Sequence, residues 1–400
     1  MPRLLALAVF PRAASTYYDE LAASLLTTGR FAFDGVPSTY VEPLYPLFLA
    51  AARMVTGDSL RLVLLLQIAV ASIGGVLLYR LGSRLADRQV GFYAAVFYAS
   101  YPYLIRQSVA LLEITLCTTL AIAATLSLSR MERVRDAVAC GALFGLLMLT
   151  RASFLPACLG AAIWLAWRGR GRLSAAMVIT ALLVQAPWLV RNARVDGSPL
   201  PSRMGENLYL STSIYANAVP AHDIDLLVPL GLADVQAEVA QMRLPPHLEQ
   251  RAMDDAMLGR AIAFMRERPA HVLWLKTRNA LYLVSPVLLP RDAKSPGAFA
   301  TVEGGVVRVF NTQRRPWVEE GSHALAQSVL LLLAAIGVVR RGLSGKDAPL
   351  PVMLATNAAV CIVFFPTTRL IAPVMFVVMF YAAVGLDAFK ATSAAEPRRR

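Results

Sequence analysis

Residues 173–192 read LSAAMVITALLVQAPWLVRN, and the chain then turns polar through residue 321. An apolar run of this length has the make-up of a membrane-crossing helix, since about 20 such residues span the hydrocarbon of a bilayer. Trp188 and Arg191 stand where that run gives way to polar sequence. Trp suits the membrane interface, and Arg at such a helix end either anchors it or holds a phosphate.

Runs of the same kind lie at 60–79, 90–105, 108–128, 136–150, 153–167, 325–339, 350–366 and 370–389. Several are shorter than about 20 residues, so their helices must extend into the flanks. The composition agrees: 57% of the 400 residues are hydrophobic and only 16% charged. That profile excludes a string of soluble domains. A net charge of +13 would suggest nucleic acid in a soluble protein. Here the basic residues occupy short turns between apolar runs, so no nucleic-acid partner is expected. Arginine outnumbers lysine 35 to 4, which reads as the codon bias of a GC-rich bacterium. Cys117, Cys140, Cys158 and Cys361 all lie in apolar runs without metal-ligand spacing, so neither disulfides nor a zinc site are expected.

The turns alternate in charge. Arg80, Arg84 and Arg88 share one; Arg130, Arg133 and Arg135 another; Arg168, Arg170 and Arg172 a third; Arg340, Arg341 and Lys346 a fourth. Lys390 and Arg398 to Arg400 follow the last run, and the intervening turns hold single arginines, Arg106, Arg151 and Arg369. The basic turns are therefore assigned to the cytoplasm. This makes Asp19, Glu42, Glu113, Arg151, Arg191 and Arg369 residents of the outer side. Each alone is more readily a snorkelling or packing-satisfied charge. As a set on one side they mark a site, because charge near membrane depth is costly unless paired or facing a wet cavity.

The expected fold is all-α, a polytopic membrane helix bundle of about 9–10 transmembrane helices. Residues 1–59 form the first outer loop, with an amphipathic helix at 17–28 stopped by Gly29, a Gly/Pro-bearing loop at 30–42, and a second interfacial helix from Pro43 to Met54. Residues 1–14 are broken by Pro2, Arg3, Pro11 and Arg12, and the topology calls for a further helix ahead of them. The bundle occupies 60–190, an outer segment 191–321, the C-terminal transmembrane helices 322–390 and a cytoplasmic, disordered tail 391–400. Within the outer segment 247–268 is helical, and His271 to Leu289, carrying Lys276 and Arg278, is interfacial or re-entrant.

Five stretches, in order along the chain, resemble the bacterial glycosyltransferase family 39 and related (PMT/ArnT-like) enzymes of the GT-C superfamily. They are Tyr18 to Ala50 with its Ser38–Ala50 run, Leu112-Glu113-Ile114-Thr115-Leu116, Gly145 to Ser153, Pro187–Asn192 with Gly205–Leu210, and Thr368 to Pro373. In the family's pattern an acidic residue precedes the tyrosine matched by Tyr18; that place is Ala14 here, and Asp19 is the nearest acid. A basic residue before the proline of the "PlyP" segment is also replaced, by Val41 and Glu42.

The resemblance implies transfer of a sugar from a polyprenyl-phosphate donor to a glycan, lipid or protein of the cell envelope. The active site would face the periplasm from the bacterial inner membrane. Arg191 and Arg369, followed by Arg151, are the candidates for donor phosphate, because the guanidinium fork binds phosphate oxygens bidentately and stays charged. Asp19 is the candidate general base for the acceptor hydroxyl, and Glu113 a second acid that orders arginines or helps hold a divalent metal ion. Glu42, Tyr45, Asn192, Asn207 and Tyr209 are the candidate substrate contacts. No Ser/His or Cys/His nucleophile pair stands in these loops, so a single displacement with inversion is expected. The cluster His222-Asp223-x-Asp225 could supply hard ligands, but a solvated loop is the simpler reading. Two other functions stay open: a transporter or flippase for a polyprenyl-linked glycan, and a catalytically inactive relative. Charges gathered on one outer rim, rather than at mid-membrane, favour the enzyme.

Overall fold

The computed structural model describes residues 2–9, 16–293, 295–342 and 345–395. Ala14, Pro11 and Arg12, and Arg398 to Arg400, lie outside them. The elements run α1 (Pro2–Val9), α2 (Tyr17–Thr28), β1 (Ala32–Phe33), β2 (Val36–Pro37), α3 (Leu44–Thr56), α4 (Leu60–Leu85), α5 (Arg88–Ser100), α6 (Pro102–Gln107), α7 (Ile114–Ser129), α8 (Val134–Thr150), α9 (Leu155–Trp167) and α10 (Gly171–Asp196). The polar segment follows with α11 (Met204–Thr212), α12 (Val228–Gln241), α13 (Pro246–Glu267), α14 (Pro269–Tyr282) and the short strands β3 (Asp292–Ala293), β4 (Phe299–Glu303), β5 (Val306–Phe310) and β6 (Gln313–Arg314). α15 (Trp317–Arg341), α16 (Pro349–Val363), α17 (Thr368–Ile371) and α18 (Met375–Ala395) close the chain. The polytopic helical bundle expected from the apolar runs is what the chain forms.

Among the described residues, four helical stretches are long and apolar enough to cross a membrane: α4, α10, α15 and Thr368–Ala388. The other apolar runs make shorter helices, such as Ile114–Ser129 and Pro349–Val363. The run at 90–105 is cut in two where Tyr101 turns extended ahead of Pro102. Proline disfavours helical geometry in the residue before it. The run at 108–128 begins its helix only at Ile114. The carbonyls of Gln107, Ser108 and Ala110 ahead of it are taken by the Gln67 amide, at 3.1, 3.2 and 2.7 Å. Irregular backbone at membrane depth survives only when its polar groups are satisfied in this way.

Three expectations change. Residues 2–9 are helical despite Pro2 and Arg3, and the Arg3 guanidinium is buried against the Tyr98 carbonyl at 3.1 Å. Pro at the start of a helix removes a donor that would be unpaired anyway. α10 does not end at Arg191; it runs on to Asp196 and stops at Gly197, whose φ of 81° suits a residue without Cβ. The last helix extends to Ala395, beyond the predicted start of the tail at 391.

The bundle is knitted by small residues. A Cβ on Gly337 would collide with the Tyr381 carbonyl, and one on Gly385 with that of Leu333, so α15 and α18 touch backbone to backbone. α8 meets α10 in the same manner through Gly141, and Gly145 makes room for the Val184 side chain. Within lipid, where burial of apolar surface drives little association, close backbone approach of this kind supplies the packing. A main core joins α4, α5, α7, α8, α9, α10, α15, α16 and α18. A second, around Tyr18, Tyr45, Leu49 and Leu64, seats α2 and α3 on one end of the bundle. A third holds α11, α12 and α13 together and reaches Phe365.

Candidate active site

Three helix ends each deliver one charged residue to the same place. Glu113 caps the start of α7, Arg151 follows the end of α8, and Arg369 sits on α17 just before α18. The bundle brings the three into contact. Arg151 Nη2 donates to Glu113 Oε1 at 2.6 Å, and Arg369 Nη2 donates to both Glu113 oxygens, at 3.1 and 2.9 Å. Arg151 also donates to the Arg369 carbonyl at 3.2 Å, which fixes the two arginines relative to each other. Burial pushes the Glu113 carboxyl up, but Arg369 and Arg151 outweigh it and hold it down at about 2. Glu113 is therefore an anion that orders cations, and no proton donor near neutral pH.

The network continues through residues that sequence reasoning did not single out. Arg369 Nη2 donates to the Tyr17 hydroxyl at 3.1 Å. Arg203, at the start of α11, lies 5.5 Å from the centre of the Tyr17 ring and 4.6 Å from that of Tyr40. Tyr40 donates to Glu206 at 2.9 Å, and Arg203 faces the same carboxylate at 3.8 Å. Tyr40 and Glu206 belong to the Ser38–Ala50 and Gly205–Leu210 stretches, yet nothing in their local sequence set them apart. Arg203 had no signal beyond preceding Gly205.

Accessibility separates the roles. Glu113 exposes 1% of its side chain, whereas Arg369 exposes 30% and Arg203 23%. The carboxylate is the buried keystone, and the arginines are the parts an arriving anion can reach. Glu42 sits at the same rim, half-buried, its Oε1 accepting the Ala152 N–H at 2.8 Å at the start of the turn that leads into α9. Burial raises its carboxyl above the usual range, against the opposing pull of that N–H and of Arg203 and Arg151.

The remaining candidates lie elsewhere. Asp19 is not in the cluster; it pairs with Arg53 of α3 at 2.5 Å and staples α2 to α3. Arg191 turns its guanidinium on the loop between α2 and α3, donating to the carbonyls of Ser38 at 2.5 Å and Phe31 at 2.9 Å and lying 4.7 Å from the Trp188 ring. Two of its donors are held by loop carbonyls, so it clamps the loop to the end of α10. Asn192 is buried beside it and accepts from it at 3.1 Å. Tyr45 is fully buried and donates to Gln67 at 2.8 Å, orienting the amide that holds the 107–110 carbonyls. Tyr209 shares Asp234 with Tyr215, at 2.8 and 2.6 Å, inside the core of α11, α12 and α13. Asn207 is half-buried on α11. His222 pairs with Asp292 at 3.2 Å, and Asp223 caps the turn that follows it. Among the described residues no three His, Cys, Asp or Glu side chains are gathered as a metal-holding group.

The clamp role of Arg191 has a measurable consequence. Arg191→Ala is expected to lower stability by about 2–3 kcal/mol, the range for losing charge-assisted bonds to buried carbonyls. It should also make the 31–38 loop newly sensitive to protease. Unchanged melting and protease resistance, with donor affinity lost, would return Arg191 to phosphate binding.

Residues 37–190 match the family model described as dolichyl-phosphate-mannose-protein mannosyltransferase. The matched stretch contains Glu113 and Arg151 of the cluster, and over it the chain is similar to that family, in line with its ordered motifs. Among solved structures it is similar to ArnT from Cupriavidus metallidurans bound to undecaprenyl phosphate, at 13% identity and a TM-score of 0.47, covering 98% of this chain and 76% of that one. The apo form of the same protein gives 14% identity and a TM-score of 0.42, covering 96% and 75%. No curated protein matches the sequence.

Proposed function

We propose that this protein transfers a sugar from a polyprenyl-phosphate carrier to an acceptor of the bacterial cell envelope, at the outer face of the inner membrane. The observation that carries the reading is the Arg151–Glu113–Arg369 cluster at the rim of the bundle, extended by Tyr17 and Arg203. A departing lipid phosphate is a weak base and requires charge neutralisation more than a proton. Arginines fixed in advance where that charge develops stabilise the transition state without reorganising. Arg369 and Arg203 are the reachable cations, and Arg151 positions Arg369.

The acceptor hydroxyl must lose its proton as it attacks the anomeric carbon, so a carboxylate within reach of it acts as general base. Glu42 fits this task better than Asp19: it stands beside Arg151 and Arg203, and its carboxyl is raised. One base and one displaced phosphate give inversion of the anomeric centre. A raised carboxyl is unprotonated, and able to accept, only above its shifted value. Transfer is therefore expected to fall as pH drops, with a midpoint above that of an ordinary glutamate, and Glu42→Gln should abolish that limb along with about 100-fold of the rate. A Glu42→Gln enzyme with wild-type rate and pH profile would remove Glu42 from the mechanism.

The deciding experiment compares lipid extracts of a deletion strain and its parent by mass spectrometry. Build-up of a polyprenyl-phosphate sugar, cleared by the wild-type gene but not by Arg369→Ala, is expected. Absence of build-up, or rescue by Arg369→Ala, would overturn the reading.

A further inference from the structure

At the end of the bundle away from the arginine–glutamate cluster, the basic turns that alternated along the sequence converge on a cavity of about 470 Å3. Four cations line it, Arg84 from the last turn of α4, Arg168 and Arg170 from the turn after α9, and Lys346 from the turn after α15. A single carboxylate, Glu132, stands among them. The other acid nearby, Asp347, is fully buried and already committed to Arg341, at 2.6 and 2.9 Å. The lining therefore keeps an uncompensated positive charge.

Topological signalling needs only that such residues be present near a helix end. It does not require that they be held in place or enclose a space. Here they are held: Arg84 donates from Nε and Nη2 to the Ser129 carbonyl at 3.2 Å each, and Arg170 Nη1 donates to the Met131 carbonyl at 2.8 Å. This leaves Arg84 Nη1 and Arg170 Nη2 without an acceptor among the described residues. Arg168 lies 6.0 Å from the Trp164 ring, and Gly345 leaves room beside its Nη1, where a Cβ would come to 3.0 Å.

We infer that this cavity binds the headgroup of an anionic phospholipid of the adjoining leaflet. Phosphate chemistry follows from the preset guanidinium donors. A lipid source follows from the walls. Leu85, Leu128 and Pro349 share the lining with the cations, and the neighbouring α9 residues Ile163 and Trp167 expose 66% and 90% of their surface, as lipid-facing side chains of a membrane helix do. Headgroup-binding pockets of this kind are basic recesses between helix ends. The site lies opposite the sugar-transfer cluster and does not depend on the transferase reading.

Native mass spectrometry of the full chain in neutral detergent, titrated with phosphatidylglycerol or phosphatidylcholine, tests the assignment. One phosphatidylglycerol is expected to remain bound at detergent concentrations that strip phosphatidylcholine. Arg168→Gln with Arg170→Gln should weaken retention by about tenfold or more, given roughly 1 kcal/mol per basic residue. Arg135→Gln, at the same end but 76% exposed and outside the cavity, should not. Equal weakening by Arg135→Gln would mean diffuse attraction and would overturn the site, as would unchanged retention in the double variant. If the double variant does not fold, Lys346→Gln on the exposed turn carries the test, with a several-fold loss expected and no loss overturning it. Displacement of the lipid by millimolar inorganic phosphate would assign the cavity to a free phosphate compound and refute the lipid.

Discussion

Glu113→Gln is expected to lower stability by about 3 kcal/mol or more, the range for breaking a buried ion pair from one side. The substitution keeps the volume and removes only the charge. Two arginines that now share one carboxylate would then face each other without it. Sugar transfer should fall by roughly 100-fold or more, because a displacement of catalytic groups by about 1 Å is enough for that. Glu113→Asp, which keeps the charge and shortens the reach, should lie between. Thermal unfolding in detergent and turnover of a polyprenyl-phosphate sugar measure both effects. Near-wild-type melting and rate in Glu113→Gln would remove the keystone role. The pH dependence has a definite sign. The folded carboxyl is depressed to about 2, against about 4.3 in an unfolded chain. Its stabilisation is therefore complete above the unfolded value and lost as pH falls towards the folded one. The stability gap between wild type and Glu113→Gln should be constant from about pH 5 to 8 and close only in more acid solution.

Arg369→Lys preserves the positive charge and is still expected to reduce turnover by roughly 100-fold, with Arg369→Ala on the order of 1000-fold, as for removal of a preorganised donor to a developing anion. A lysine offers a point charge in place of a planar fork. It cannot at once reach the Tyr17 hydroxyl, both Glu113 oxygens and an incoming phosphate. Stability should suffer less than in Glu113→Gln, by about 1–2 kcal/mol, since Arg151 still pairs with Glu113. Single-turnover measurement of donor consumption separates this from weakened binding. A loss confined to KM would mean that Arg369 holds the donor equally in ground and transition states.

Membrane character, the approximate positions of the helices and the gathering of basic turns at one end were all legible in the sequence, because they depend on local composition and on which residues tolerate lipid. Gly29 as the stop of α2 was legible too, because glycine takes without strain the left-handed φ of 68° found there. Helix lengths were less so. The break before Pro102 has a local cause, but the late start of α7 depends on Gln67, reached from a different helix and itself oriented by Tyr45. Periodicity cannot show which distant side chain will satisfy a carbonyl.

The same division holds for the site. Residue type and helix-end position alone placed Glu42, Glu113, Arg151 and Arg369 together on one rim, and these are the residues the fold assembles. They placed Asp19 and Arg191 there on equal grounds, and only tertiary contacts separate them: Asp19 finds Arg53 one helix away, and Arg191 finds two loop carbonyls. Tyr17, Tyr40, Arg203 and Glu206 join for the converse reason, their place in the cluster arising from neighbours more than 150 residues distant, as in the Tyr40–Glu206 bond with its separation of 166. The sequence by itself determined the solvent each segment would accept, because transfer between water and lipid is settled residue by residue. Which charges would be paired, consumed or left reachable was decided by the tertiary structure, because an ion's partner is a matter of distance in space.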